Sequence, residues 1–279
     1  MAVDATAWDH GPAFMERAAE EKLSMVVRAG ASAADGPPSG RRIRAVQRRL
    51  RRQQGPFVPK PRLAAIDELI ATVLSQHTSD VNSERAFATL RRRFPSWEEV
   101  LDAPTEHVAD AIRSGGIADQ KAARIQRILA EIEEREGRID LSRLEGLDDA
   151  AVEEYLTTLP GVGPKTAACV LTFAMGRAAF PIDTHVHRVT ARLGWIPSGA
   201  SAERAHQLLA HRVPADVRYD LHVALVAHGR SVCKAQRPRC GRCVLRDLCE
   251  YPPAPAPRRR AERTGSAARA AVVRAARRW

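Results

Sequence analysis

The sequence predicts an all-α fold, and three observations support this prediction. Apolar residues recur every three or four positions over most of residues 41–228, the spacing of one helical face. Polar residues that suit helix starts precede these stretches, and Gly or Pro residues follow them. No stretch shows a convincing strand-like alternation of apolar and polar residues. Many short helices around a compact core therefore fit the pattern best.

The predicted helices can be justified in chain order. The first is basic on its outer surface, with an apolar stripe formed by Ile43, Val46 and Leu50. The second is apolar on most sides, as expected for a buried helix, and the later ones have polar starts and Gly or Pro breaks. The full set covers residues 41–53, 63–75, 82–94, 96–101, 105–114, 119–136, 148–157, 165–175, 184–193, 201–211 and 216–228.

The positive charge of the chain is concentrated at its two ends. The 279 residues carry a formal net charge of +11, yet the middle of the chain is close to neutral. Residues 1–39 end in a linker-like composition, and residues 252–279 are first Pro-rich and then Arg/Ala-rich, so both are predicted to be disordered. Such flanks favour contact with a polyanion, although a solubilising tail explains them equally well.

Four cysteines lie in one short stretch, spaced C-x6-C-x2-C-x5-C, and their thiolates can all reach one centre. An iron–sulfur cluster suits this set best. A structural zinc ranks second, because zinc ribbons use two C-x2-C pairs and this chain has one. Disulfides rank last in a large chain without a secretory leader pattern. The candidate ligands are Cys233, Cys240, Cys243 and Cys249.

A tight turn between two helices is the second strong signal. In Leu159-Pro-Gly-Val-Gly-Pro-Lys165 one helix ends, the glycines allow positive φ, and Pro164 starts the next helix. Unpaired N–H groups at a helix start suit a phosphate oxygen, so a nucleic-acid backbone is a candidate ligand. The residues predicted to make this contact are Gly161, Val162, Gly163 and Thr166.

Lys165 is the candidate for covalent chemistry. A phosphate contact is the simpler interpretation of a lysine at this turn. However, the first turn of a helix disfavours a cation, and nucleophilic attack requires a neutral amine. Asp183, in Phe180-Pro-Ile-Asp-Thr184, is the second candidate. The sequence alone favours an N-cap role for it, and only a fold that brings it opposite Lys165 would give it a role in a reaction.

The hairpin, the Asp183 motif and the cysteine loop, in this order, resemble endonuclease III of the helix-hairpin-helix/Gly-Pro-Asp superfamily of DNA glycosylases. The resemblance covers about residues 40–251. It implies a six-helix barrel domain at 58–178 that ends with the hairpin. It also implies a discontinuous domain, formed by 40–57 and 179–251, that holds a 4Fe–4S cluster. A cleft would lie between the two domains.

The resemblance further implies a reaction in base-excision repair. A damaged base, by superfamily frequency an oxidised pyrimidine, would be flipped out of double-stranded DNA. Lys165 matches the family's nucleophile and would attack C1′, and Asp183 matches the aspartate that helps to deprotonate it. β-Elimination would then nick the strand, which is AP lyase activity. Such an enzyme is expected to be a monomer, cytoplasmic and associated with the nucleoid, without membrane contact.

Additional DNA contacts follow from the same resemblance. Gln76 or His77 would fill the gap left by the flipped base, because the motif at 74–80 departs from the family's usual wording by an offset of one residue. A basic loop around the cysteines would hold the DNA backbone. Three short segments at 137–141, 180–184 and 192–197 look more like Demeter-type 5-methylcytosine glycosylases. The basic loop contains Lys234, Arg237, Arg239, Arg242 and Arg246.

Two other functions remain open from the sequence. A non-catalytic iron–sulfur protein could bind DNA for sensing or scaffolding. A monofunctional glycosylase acting on mismatched or modified pyrimidines would use water as its nucleophile and leave an abasic strand intact. The fifth cysteine, Cys169, follows an apolar helical pattern and is predicted to be a core residue.

Overall fold

A computed structural model describes residues 38–55, 57 and 63–251 of the chain. Within these residues the regular secondary structure is helical and includes no strand, which confirms the all-α prediction. The predicted N-terminal extension (1–39) and C-terminal tail (252–279) lie outside the described residues, apart from Pro38 and Ser39. The described residues all belong to one compact unit that begins at Pro38.

The α-helices follow the predicted segments closely. Several begin at a side-chain cap, since Ser39, Ser96, Asp148 and Ser201 each accept the N–H of the residue three positions later. In chain order the α-helices are α1 Gly40–Gln54, α2 Ala65–Ser75, α3 Asp80–Arg93, α4 Trp97–Asp102, α5 Thr105–Ala111, α6 Ala118–Glu136, α7 Asp149–Thr157, α8 Pro164–Cys169, α9 Thr184–Arg192, α10 Ala202–Leu209 and α11 Arg218–Ser231.

The helix after the hairpin differs from its prediction. The sequence predicts one helix over 165–175, whereas α8 ends at Cys169 and continues as a π-helical turn over Val170–Ala174. Val170, Leu171 and Phe173 in this turn are all buried. Apolar spacing cannot distinguish a π turn from an α turn when nearly every side chain in the segment is buried.

The buried apolar side chains form two large clusters. Core 1 contains residues from α2 to the π-helical turn, between Ala65 and Leu171. Core 2 combines α1 with residues between Phe180 and Leu245. The apolar stripe of α1, which begins at Ile43, belongs to core 2 because α1 packs against α11. The division into two domains stays a prediction.

Two contacts connect the parts of the chain that form these cores. A small third cluster contains Cys169 and Phe173, from α8 and the π-helical turn, with Val223 of α11. In addition, Arg230 of α11 forms a two-pronged ion pair with Asp80 at the start of α3, with N–O distances of 2.6 and 2.8 Å. The geometry is the fork-to-fork arrangement that makes an arginine–carboxylate pair strong and directional.

A fully buried lysine ties the end of α2 to the start of α6. Lys121 Nζ donates hydrogen bonds to Leu74 O at 2.7 Å, to Thr78 Oγ1 at 2.8 Å and to Gly115 O at 2.8 Å. Burial lowers the pKa of Lys121 to about 8. Three acceptors match the three N–H donors of an ammonium group, so the buried charge is fully hydrogen-bonded. The turn at 75–78 is thereby fixed to the segment that precedes α6.

We expect Lys121→Met to lower the free energy of unfolding by about 2–4 kcal/mol, because it leaves buried carbonyl oxygens without a donor. Urea unfolding followed by circular dichroism would measure this. Arg127→Met, an exposed substitution on the same helix, is the matched control and should change stability by less than about 0.5 kcal/mol. Equal stability of the two variants would contradict the role given to Lys121.

Candidate active site

The turn between α7 and α8 has the backbone geometry that its glycines predict. Gly161 has φ +72°, and a Cβ placed on it would lie 2.7 Å from Arg124 Nε. The left-handed backbone favours glycine at this position, and a larger residue would also displace the Arg124 side chain. Pro164 then occupies the first position of α8, where a missing N–H removes no helical hydrogen bond.

Some of the backbone N–H groups that are predicted to bind a phosphate remain available in this turn. Among the described residues, no protein acceptor takes the N–H of Gly161, Gly163 or Lys165. Val162 instead donates its N–H to Leu159 O, and Thr166 donates to Gly163 O. The backbone donors that remain for an anion are thus those of the two glycines and the lysine, whereas Val162 buries its side chain in core 1.

Lys165 lines a cleft with a volume of about 350 Å³. The lysine is partly buried, and the fully buried Cys169 lies one helical turn further along. Burial raises the pKa of the Cys169 thiol to about 11, with the Lys165 amine acting in the opposite direction. The lining residues are Leu63, Glu68, Ala71, Thr72, Ser75, Asp80, Ser83, Glu84, Phe87, Lys165, Cys169 and Phe173.

Asp183 is the N-cap of α9, as the sequence predicts. Its Oδ1 accepts the N–H of Val186 at 2.7 Å. The carboxylate also acts, together with the Lys165 amine, on the ionisation of both Cys169 and His222. Since the same two side chains feel both charges, Lys165 and Asp183 come from different parts of the chain to one region of the molecule. A cap uses only part of a carboxylate's capacity to accept hydrogen bonds.

His222 supports the segment that carries Asp183. It is fully buried in α11, and its Nδ1 donates to Pro181 O at 2.9 Å. Its ring meets Phe173 and Phe180 edge-on, with ring centroids 5.5 and 6.3 Å apart. Burial lowers the pKa of His222, so the ring is neutral around pH 7. The segment that carries Asp183 therefore packs against His222, whose ring also contacts Phe173 in the π-helical turn after α8.

The two candidates for the gap-filling residue have different surroundings. Gln76 is partly buried, and its Oε1 accepts a hydrogen bond from Arg124 at 2.9 Å. His77 is exposed and has φ +54°. This backbone conformation is uncommon in residues other than glycine and is found most often at functional sites. Arg124 also contacts Gly161, so this turn and the hairpin share one positioning residue.

The four cysteines surround one cavity of about 110 Å³. Among the described residues, no group of three or more His, Cys, Asp or Glu side chains is arranged to hold a single metal ion. Burial, with repulsion from the other three thiolates, raises the pKa of Cys243 to about 11. A cationic iron core would relieve that repulsion and hold all four as thiolates. Cys233, Cys240, Cys243 and Cys249 thus fit the predicted 4Fe–4S group.

Nitrogen atoms of two side chains also face two of these sulfurs. Arg192 Nη1 lies 3.2 Å from Cys233 Sγ, and His228 Nε2 lies 3.4 Å from Cys243 Sγ. Such outer contacts orient metal ligands and stabilise their negative charge. The basic side chains predicted to hold DNA are exposed around the same loop, and no ion pair engages them among the described residues: Lys234, Arg237, Arg239, Arg242 and Arg246.

Three residues of this region escaped the sequence analysis. Glu68 interrupts the apolar pattern of α2 on the side that lines the cleft, and this interruption was the available signal. Ile117 is 48% exposed with φ +42°, beside the turn fixed by Lys121. An apolar residue directly after Gly115-Gly116 was its only signal. Lys121 gave no signal, because a buried lysine on an amphipathic helix looks like a surface one.

Among the described residues, no helix combines the length and apolar character needed to cross a bilayer.

Known proteins match both parts of the site. The family described as "HhH-GPD superfamily base excision DNA repair protein" matches residues 70–215. The family described as the iron–sulfur binding domain of endonuclease III matches residues 233–249. A putative DNA glycosylase from Arabidopsis thaliana is 40% identical over 61% of this chain and 59% of its own length. The match therefore spans less than two thirds of that relative's length. Endonuclease III of Thermotoga maritima is 37% identical over 66% of this chain and 81% of its own.

A solved structure agrees with these matches. A trapped covalent intermediate of endonuclease III with DNA superposes with a TM-score of 0.66 at 29% identity, covering 76% of this chain and 96% of that one. Together the matches confirm the predicted resemblance, the DNA glycosylase class of enzyme and the iron–sulfur cofactor. The chain belongs to the HhH-GPD superfamily of base excision DNA repair proteins and carries the iron–sulfur binding domain of endonuclease III.

Proposed function

We propose that the protein is a DNA glycosylase with AP lyase activity that removes a damaged pyrimidine, most simply an oxidised one, from double-stranded DNA. The observation that carries this proposal is Lys165, a primary amine in the first turn of α8 that lines the cleft and shares its surroundings with Asp183. An enzyme that forms a Schiff base needs a primary amine beside the reacting sugar, and Lys165 offers one in the cleft. A monomer acting in the cytoplasm on the nucleoid completes the proposal.

DNA binding would use three surfaces in this proposal. The N–H groups of Gly161 and Gly163 suit a phosphate, with the positive end of the helix dipole behind them. The exposed basic side chains of the cysteine loop add contacts that depend on salt concentration. His77 and Ile117, both exposed and both in left-handed backbone, suit insertion into the gap that a flipped base leaves. The iron–sulfur cluster, when bound, holds the cysteine loop in shape and supplies no bond-breaking chemistry.

In the first step the Lys165 amine attacks C1′ of the flipped nucleotide. The N–C1′ bond forms as the bond to the base breaks, and the base leaves with that electron pair and takes up a proton. Asp183 accepts the proton that the amine releases, and its negative charge stabilises the positive charge on the sugar. The C1′–O4′ bond then breaks and O4′ takes up a proton, which leaves a Schiff base between Lys165 Nζ and C1′. A base removes a C2′ proton, and the C3′–O bond breaks as the 3′ phosphate leaves with that electron pair.

Substitution of Lys165 tests the nucleophile. Lys165→Gln and Lys165→Arg should both abolish borohydride trapping of a protein–DNA adduct, since neither side chain can form a Schiff base. Binding of an abasic duplex, measured by fluorescence anisotropy, should change by less than about tenfold, because most of the phosphate contacts remain. Trapping that persists in both variants would contradict the role of Lys165. Base release without nicking of an abasic strand would indicate a monofunctional glycosylase.

Substitution of Asp183 tests its role apart from capping. Asparagine is as good an N-cap as aspartate, so Asp183→Asn should leave the melting temperature nearly unchanged. The single-turnover rate of base release should fall by about 10²- to 10⁴-fold, because the variant cannot accept the lysine proton. A similar fall after Asp148→Asn, at the start of α7, would mean that cap chemistry rather than catalysis explains the effect.

A further inference from the structure

We propose that a groove beside α1 is a second DNA-binding surface, which binds the phosphate backbone of a DNA segment other than the one at the reaction cleft. The groove has a volume of about 510 Å³. One wall is α1, and the other is formed by residues of the segments 176–178 and 215–220. The groove shares no lining residue with the cleft that contains Lys165, so the inference goes beyond the proposed function and does not depend on covalent chemistry.

The two acidic side chains that line the groove already have partners within the protein. Asp216 accepts two hydrogen bonds from the Arg44 guanidinium, at 2.5 and 3.0 Å. Asp220 accepts one from Gln47 Nε2 at 2.5 Å and one from the backbone N–H of Phe57 at 2.8 Å. Against these two carboxylates stand four arginines, which leave an excess of positive charge along the groove: Arg44, Arg48, Arg51 and Arg177.

Two of these arginines have guanidinium groups that are available to a ligand. Arg48 and Arg51 are both exposed, and among the described residues no hydrogen bond or ion pair engages either guanidinium. Each group offers five N–H donors in a flat fork, the geometry that matches a phosphate. The two residues lie three positions apart on one side of α1, so both can contact the same DNA strand.

The charges on α1 oppose helix formation rather than support it. Residues 40–54 contain seven arginines, no lysine and no acidic residue. Arg44, Arg48 and Arg51 follow one another at intervals of four and three positions, where like charges on a helix repel each other. A row of phosphates would remove this repulsion, and a DNA strand carries one phosphate charge at every nucleotide. Charge complementarity therefore favours DNA as the partner of this groove.

The groove lies on the side of α1 that faces away from the cysteine loop. Arg42 and Arg49 donate hydrogen bonds of 3.1 and 3.2 Å to backbone carbonyls in the segment 244–248, so they hold the loop that is proposed to bind DNA at the cleft. At about 100° per residue, Arg44 and Arg51 lie about 160° away around the helix axis, with the buried apolar stripe between them. Because a short duplex is stiff, DNA on the cysteine loop does not bend round α1 into the groove, and the DNA bound there is a second segment.

A bridging assay with the holoenzyme tests this inference. A short undamaged duplex is fixed to beads, and the same duplex with a fluorescent label is added in solution together with the protein. The native chain should retain the label on the beads, because it holds two duplexes at once. Arg48→Gln/Arg51→Gln should retain at least about tenfold less, because it removes two charged contacts to phosphate. The matched control, Arg127→Gln/Arg204→Gln, removes the same charge at exposed positions outside the groove and should retain as much label as the native chain.

A second measurement separates the groove from the cleft. The affinity for one duplex that contains an abasic-site analogue, measured by fluorescence anisotropy, should change by less than about threefold in Arg48→Gln/Arg51→Gln, because the hairpin and the cysteine loop are unaltered. A parallel loss of this affinity and of bridging would mean that the groove belongs to the DNA site at the cleft, and would overturn the inference.

Three results of the bridging assay would also overturn it. These are a native chain that retains no label, an Arg48→Gln/Arg51→Gln variant that retains as much as the native chain, and a control variant that loses as much as that variant does. Bridging through contacts between protein molecules would give the second result. Borohydride trapping on an abasic duplex keeps the two proposals apart: trapping without bridging rejects only the second DNA surface, and bridging without trapping rejects only the proposed lyase chemistry.

Discussion

The position of the Lys165 amine depends on how the chain enters α8. The left-handed backbone at Gly161, the packing of Arg124 against it and the proline at the first helical position together fix the direction of this helix. Lys165 follows directly, so its side chain starts from a rigid base. Arg124 also holds Gln76, and the turn that contains Gln76 is fixed by the buried Lys121. The hairpin and the turn at 75–78 therefore form one connected structure, in which each part limits the freedom of the other.

The second constraint is the packing between the two cores. Lys165 belongs to the chain that forms core 1, and Asp183 to the chain that forms core 2, so no local sequence determines their separation. The cluster of Cys169, Phe173 and Val223 sets that separation, together with the ring of His222 and the Asp80–Arg230 ion pair. A change far from the reacting atoms, such as one in α11, can therefore alter the geometry of the candidate site.

Sequence reasoning predicted the local features well, because their causes are local. The helices, the cap at Asp183, the glycine turn and the cysteine spacing all depend on residues within a few positions of one another. It gave no signal for Lys121, whose three acceptors come from α2 and from the turns after α2 and before α6. It also left Gln76 and His77 equivalent, since only the fold reveals that Arg124 binds the first and leaves the second exposed.

If Lys165 is the nucleophile that bonds to deoxyribose, the covalent adduct must lie on its side chain, and mapping of the adduct tests this most directly. The native protein would be reduced with borohydride on an abasic duplex, digested, and analysed by mass spectrometry for the peptide that retains the sugar remnant. The account predicts that the remnant lies on Lys165. A remnant on Lys121, on Lys234 or on an N-terminal amine would contradict it, and would assign the chemistry to a different part of the molecule.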